Sequence, residues 1–232
     1  MSNLAAILKK NQHDFFPVVP FDPKKDKLLP LDLTAANPAL TEDIISDDTA
    51  FEAFIGRSLL ASGSRYGIGG YDEHRTVYSR STLFDGAGTL PRRLHLGTDI
   101  WGEAGTPVYA FLGGRVHSFA FNDHRGDYGA TLILLHQLEG YAFHTLYGHI
   151  SLADIATLTE SQYVVRGQQV ASFGTFAENG QWPPHLHFQV IEDMQLKKGD
   201  YPGVCTYAEK EKYLDNCPDP DLILQMNRYT GG

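Results

Sequence analysis

The sequence predicts a mainly β, α+β fold: an antiparallel β domain over roughly residues 65–195, with a partly helical, partly extended segment before it and a tail after it. Three observations carry this expectation. From about residue 65 apolar residues recur with period two, the spacing at which alternate side chains of a strand share a face. Glycine is dense, 23 in the chain, and it clusters between those apolar runs, where strands must turn. The helical period is carried mainly by one stretch, residues 47–62.

The elements follow in order. Residues 1–45 are interrupted by Pro17, Pro20, Pro23, Pro30 and Pro38 and carry no firm pattern, so they are expected to wrap over the surface of the main body. In 47–62, Phe51, Phe54, Ile55 and Leu59 repeat at helical spacing. Aspartates stand at the start, where a helix favours negative charge, and Gly63 is placed to end it. VYAF and RVHSFAF, parted by Gly113-Gly114, read as a hairpin, and TLILLH and YAFHTLYGH, joined through LEG, read as another. VASFGTF and HLHFQVI are further strands on either side of the loop ENGQWPP, and residues 152–161 suggest a short helix. PGV and CPDPD in the tail read as loops. The expected divisions are 1–64, 65–195 and 196–232.

Bulk composition excludes some partners. A formal net charge of −9 leaves no basic footprint for phosphate backbones or anionic membrane surfaces. No run approaches the length of a membrane-spanning helix, and the N-terminal residues hold no signal-peptide core. As written the chain reads as cytoplasmic, or as periplasmic or extracellular if a leader has been removed. The two cysteines, Cys205 and Cys217, make no CxxC pair; two free thiols are expected ahead of a disulfide.

The chemistry-bearing residues lie in three short pieces. In HLHFQV, alternation puts Leu186, Phe188 and Val190 on an apolar face and His185, His187 and Gln189 on the other, where two imidazoles serve no packing purpose. Pro183 and Pro184 hold the chain extended just before them. In HLGTD, Gly97, Thr98 and Ile100 argue against a helix, and in an extended segment His95, Gly97 and Asp99 project together. His95, Asp99 and one histidine of HLH would make a three-ligand set with an open fourth position, the pattern of a catalytic zinc. His149, at a strand end in LYGHI, is placed to orient water or stabilise charge beside such a site. His117, His136 and His144 read as structural, and His13, His74 and His124 as exposed. Arg75 and Tyr78 are candidates to line a cleft and hold a substrate carboxylate, with an Arg75–Glu73 pair as the equal alternative; Tyr147 and Trp182 are candidate substrate walls.

At HLGTDIWGEAGTPVYAFLGGRV, TLYGHIS, RGQQVASFG and PPHLHFQV the chain resembles the lysostaphin-type zinc metallopeptidases, cell-wall endopeptidases with a His-x-Gly-x-Asp motif and a later His-x-His, over about residues 68–192. The resemblance implies antiparallel sheets of the duplicated hybrid motif type forming a cleft over one zinc ion. It implies His95, Asp99 and His187 as ligands, His149 and His185 as catalytic histidines, and a peptide or peptidoglycan-type substrate. GGYDEHRTVYSRSTLF, YPGV and CPDPD resemble a subgroup joined to kinase-like and aminotransferase-like modules. Some members place an upstream asparagine on the metal; no counterpart is evident, and residues 65–85 are the stretch able to cross the cleft. The competing reading is a non-hydrolytic, zinc-stabilised accessory module or a phosphocarrier-like binding module, and the latter has no use for Asp99.

Overall fold

The structure, a computed structural model, describes residues 3–85 and 90–230. Helix α1 (Asn3–Lys10), strand β1 (Leu28–Leu31), helices α2 (Glu42–Ser46) and α3 (Asp48–Ser62) and strand β2 (Tyr66–Gly69) come first. Strands β3 (Leu94–His95), β4 (Thr98–Trp101), β5 (Pro107–Tyr109), β6 (Gly114–Asn122), β7 (Gly129–Leu138) and β8 (Tyr141–Ile150) follow. The chain continues through α4 (Leu152–Ile155), β9 (Tyr163–Val164), β10 (Gln169–Ser172), β11 (His185–Ile191), β12 (Val204–Cys205), α5 (Lys210–Asn216) and α6 (Asp221–Leu224).

The predominance of β structure is as expected, but the main sheet is mixed rather than purely antiparallel. It has eight strands in the order β1-β2-β4-β11-β8-β7-β6-β9, and β1 runs parallel to β2. The residues before 46 therefore do more than wrap the surface. Strand β1 extends the sheet at its edge, where the missing N–H of Pro30 is tolerated. Helix α1 buries Leu4 and Leu8 completely in the main core, one turn apart on a single face.

Helix α3 is built as its sequence indicates. The Asp47 carboxylate accepts from the Ala50 N–H at 2.7 Å, and Gly63, at φ 62°, closes the helix with its N–H on the Leu59 and Leu60 carbonyls. The β7–β8 hairpin also forms, its two turn residues Glu139 and Gly140 at φ 51° and 81°, the pairing a tight hairpin requires. The hairpin expected from VYAF and RVHSFAF does not form. Strand β5 pairs with β10, while β6 pairs with β7 and β9. Neither Gly113 nor Gly114 takes the positive φ of a two-residue turn. Gly114 is instead a close-approach position, where a Cβ would lie 2.6 Å from the Leu135 carbonyl oxygen.

The short helix expected over 152–161 ends at Ile155. In the tail Val204 leaves the expected PGV loop to pair with His95, and α5 precedes the CPDPD segment. Cys205 and Cys217 are unbonded and buried.

The sheet separates two environments. Leu186, Phe188 and Val190 of β11 face the main core with Phe111, Phe143 and Tyr147. The opposite side is covered partly by α3, whose Phe51 and Ile55 join Trp101, Tyr78 and Trp182, and partly by the tail, whose Tyr201 and Cys217 join Tyr128 and Leu146. The histidines of β11 lie beneath this cover.

Because α1 is part of the core, Leu8→Ala is expected to lower unfolding stability by about 2–5 kcal/mol, against about 0.5 kcal/mol or less for Lys9→Ala on its exposed face. Urea denaturation of the two variants measures the difference; equal small effects would show that the helix is dispensable to the core.

Candidate metal centre

Three chain segments meet on the covered face. Strands β4 and β11 are antiparallel neighbours, and their register sets His187 directly opposite Asp99. His95 arrives from β3 across Leu96-Gly97. A Cβ on Gly97 would lie 2.5 Å from His187 Cε1 and 2.9 Å from the Phe188 carbonyl oxygen, so only glycine lets the two histidines approach.

The atoms that converge are all acceptors. His95 Nε2 lies 3.0 Å from His187 Nδ1, His187 Nδ1 lies 3.0 Å from Asp99 Oδ1, and His95 Nε2 lies 3.3 Å from the same oxygen. His95 donates its Nδ1–H to the Gly70 carbonyl at 2.8 Å, which leaves Nε2 as its lone-pair nitrogen. His187 Nε2 faces Gln189 Oε1 at 2.9 Å, an acceptor, so His187 turns its lone pair inward as well. Burial, reinforced by the Arg75 charge, pushes His95 down to about 4 and keeps it neutral at ordinary pH. Burial works against ionising Asp99, but the Arg75 guanidinium beside it outweighs that and holds the carboxyl well below its ordinary value.

A cation at that point would resolve this arrangement. Ligand atoms on a tetrahedral zinc, each about 2.0–2.2 Å from the metal, stand roughly 3.3 Å apart. The three observed separations, 3.0 to 3.3 Å, are close to that spacing. Among the described residues these are the three histidine, cysteine or acidic side chains whose ligand atoms gather within 4.8 Å, and all three are buried.

His149 and His185 stand beside them, ring centroids 4.1 Å apart. Each ring donates Nδ1–H to a backbone carbonyl, His149 to Asn179 at 2.8 Å and His185 to Pro183 at 2.7 Å, so each has Nε2 as its basic nitrogen. Burial, with the neighbouring His185 and His187, holds His149 well below its ordinary value; burial takes His185 down to about 4. Trp101 stacks on His185 at 3.9 Å and fixes its plane.

His149 reaches this face only through a β-bulge. Leu132 pairs with Tyr147 but Ala130 pairs with Ile150, so β8 carries one more residue than β7 across that step. Strict alternation would put His149 on the core side with Tyr147. The extra residue turns it over, and His149 sits at φ 62°, a region non-glycine residues seldom enter. Two backbone bonds hold it there, His149 N–H to the Tyr128 carbonyl and Gly174 N–H to the His149 carbonyl, both 2.8 Å.

A cavity of about 160 Å³ opens on the site, lined by Asp99, His149, His185 and His187 together with Tyr78, Phe84, Tyr128 and Trp182. Tyr78 and Trp182 thus line the cavity. Tyr147 does not: it is fully buried in the core under the sheet, packed on Phe188 with centroids 5.3 Å apart, and is no substrate wall. Arg75 is committed within the protein. It donates to Glu73 at 2.6 Å, to Asp99 Oδ2 at 2.5 Å and to the Gly70 carbonyl at 3.2 Å, and it is 1% exposed. It also lines the cavity, and its guanidinium holds the second oxygen of Asp99. Val77, Tyr78, Leu83 and Phe84 carry residues 65–85 across the cleft as expected, and among the described residues no asparagine lines the cavity. Tyr128, outside the motifs, went unmarked in the sequence; its only local signal is the glycine that follows it. His136 is buried on Gly113 and Thr145, and His13, His74 and His124 are exposed.

Residues 93–199 match the model of Peptidase family M23. Over 126 residues the chain is 32% identical to the L-Ala--D-Glu endopeptidase of Bacillus subtilis (strain 168), a match covering 51% of this chain and 36% of that protein. Over 139 residues it is 29% identical to the peptidoglycan DD-endopeptidase ShyB of Vibrio cholerae serotype O1, covering 58% of this chain and 30% of that one. The chain therefore spans about a third of the length of these curated relatives. The catalytic domain of lysostaphin from Staphylococcus simulans aligns with 21% identity over 57% of this chain and 80% of that chain, at a TM-score of 0.39.

Removing the guanidinium would leave Glu73 and Asp99 without their shared cation. Arg75→Leu is therefore expected to cost about 3–5 kcal/mol of stability, read from denaturant unfolding in the presence of a chelator. A cost below about 1 kcal/mol would show that Arg75 does not anchor Asp99.

Proposed function

We propose that this chain, whose residues 93–199 match the model of Peptidase family M23, is a zinc-dependent metalloendopeptidase that hydrolyses peptide bonds in peptidoglycan-type or other short peptides. The observation that carries the reading is the meeting of three buried acceptors, His95 Nε2, Asp99 Oδ1 and His187 Nδ1, beside a pair of neutral histidines on one cavity. In this reading His95, Asp99 and His187 hold one zinc, and His149 and His185 are the catalytic histidines.

Zinc, when bound, supplies Lewis acidity that polarises a carbonyl and makes water acidic enough to attack near neutral pH. The protein supplies proton handling and orientation. His149 and His185 are both unprotonated at Nε2, so either imidazole can take the proton an attacking water gives up and return it to the leaving amine. The resulting imidazolium, now protonated at Nε2, donates to the developing oxyanion. Arg75 keeps Asp99 ionised and fixed while the histidines change charge. Tyr78, Phe84 and Trp182 give the cavity apolar walls against which a short peptide packs.

The peptide target draws support from two relatives named as peptidoglycan or L-Ala--D-Glu endopeptidases. Action on such material would place the chain in the periplasm or outside the cell. No helix among the described residues is long and apolar enough to cross a membrane. A phosphocarrier-like module would have no use for a carboxylate set between two imidazoles.

Elemental analysis of protein prepared without chelator is expected to give one zinc per chain. His187→Ala should lose it. His149→Ala should keep it while activity falls about 10²–10⁴-fold. Zinc at full occupancy without His187 would sink the ligand set. Cleavage itself is read by mass spectrometry of muropeptide digests; intact substrates across several cross-link types would count against the peptidoglycan target.

A further inference from the structure

Gln189 lies two residues beyond His187 on the same face of β11, and it is 0% exposed. A buried primary amide has unlike ends, one accepting and one donating, so its orientation dictates what its neighbours must be. Here the nitrogen end meets the Pro202 carbonyl at 3.1 Å and Cys217 Sγ at 3.3 Å. A carbonyl cannot donate. Turning the amide over would set Oε1 against that oxygen and leave both N–H groups facing His187. The amide is therefore locked with Oε1 toward His187 Nε2, at 2.9 Å.

The lock decides between two states of His187. A neutral imidazole has one proton. Placed on Nδ1, it would bond to Asp99 Oδ1 at 3.0 Å and close the meeting point of the three acceptors. The same choice would press the Nε2 lone pair against Gln189 Oε1. With Oε1 fixed, the proton goes to Nε2, and Nδ1 faces inward open for a cation. The two groups that fix the amide, Pro202 and Cys217, belong to the C-terminal tail and not to β11.

We propose that Gln189 is a positioning residue that sets the zinc affinity of the site, holding His187 as its Nε2–H tautomer under the control of the tail through Pro202 and Cys217. This rests on the zinc reading of His95, Asp99 and His187.

The test is zinc affinity of the full-length, metal-stripped protein, measured by competition with a chromophoric chelator, together with ¹⁵N chemical shifts of His187 in the metal-free state. Gln189→Leu is expected to weaken zinc binding about 10–100-fold. Gln189→Glu, which as the buried neutral acid keeps its C=O opposite Nε2 and donates its O–H to the Pro202 carbonyl, should recover most of it, within roughly threefold of wild type, a rescue that a purely structural role does not predict. The wild-type spectrum needs no folded variant: it should show His187 protonated at Nε2. Protonation at Nδ1, or wild-type affinity in Gln189→Leu, would overturn the proposal while leaving the zinc site intact. A wild-type protein whose zinc binding is unaffected by His187→Ala would overturn the zinc reading itself and the proposal with it.

Discussion

Asp99 Oδ1, His95 Nε2 and His187 Nδ1 occupy a buried point at separations of 3.0 to 3.3 Å with no donor among them. Left to themselves, such acceptors repel, and each buried unsatisfied group costs about 1–3 kcal/mol. The arrangement stands because every one of them is tied from behind. Gly70 receives the His95 proton, Arg75 holds the far oxygen of Asp99, and Gln189 faces the far nitrogen of His187. Much of the covered side of the sheet follows from these three ties. Arg75 must be buried to reach Asp99, which brings residues 70–78 across the cleft. Gln189 needs acceptors at its nitrogen end, which brings the tail against β11.

A different constraint governs the two remaining histidines. They must be close to the acceptors, yet uncharged and individually aimed. Burial removes the charge, and backbone carbonyls of Asn179 and Pro183 take the Nδ1 protons. Aim comes from rigid neighbours: Trp101 stacked on His185, and the bulge that reverses His149. The bulge has a steric condition of its own. A Cβ on Gly148 would lie 2.6 Å from the Tyr128 ring, so the aromatic residue can cover the bulge only because the position before His149 is glycine. Local strain at His149 is thus held in place by packing on both sides.

Where a residue's fate depends on its nearest neighbours in sequence, the sequence was readable. The caps and apolar period of α3, the turn of the β7–β8 hairpin and the two faces of β11 are all local. The parts that eluded it depend on partners far along the chain. Helix α1 is eight residues long with one unbroken apolar run, residues 4–8, too short to register as periodic. Strand β5 has three residues and could pair with either neighbour; its choice of β10 is a tertiary outcome. Tyr147 and His149 have the same parity, and no pattern in YGH announces the extra residue that sends them to opposite faces. Arg75 looked able to serve a substrate or Glu73; that it also reaches Asp99, 24 positions on, is fixed only by the fold. The three short pieces that carry the histidines and Asp99 stand out because each contains glycine or follows proline, a trace of close approaches and extended backbone.

The central claim is that the three acceptors exist to hold a metal ion, and an anomalous difference map collected at the zinc edge from crystals grown without added chelator tests it most directly. The account predicts one peak per chain, about 2.0–2.2 Å from His95 Nε2, Asp99 Oδ1 and His187 Nδ1, with His149 and His185 outside bonding distance. A peak ligated by His149 or His185 in place of one of those three, or a site without anomalous signal after soaking in zinc, would contradict it.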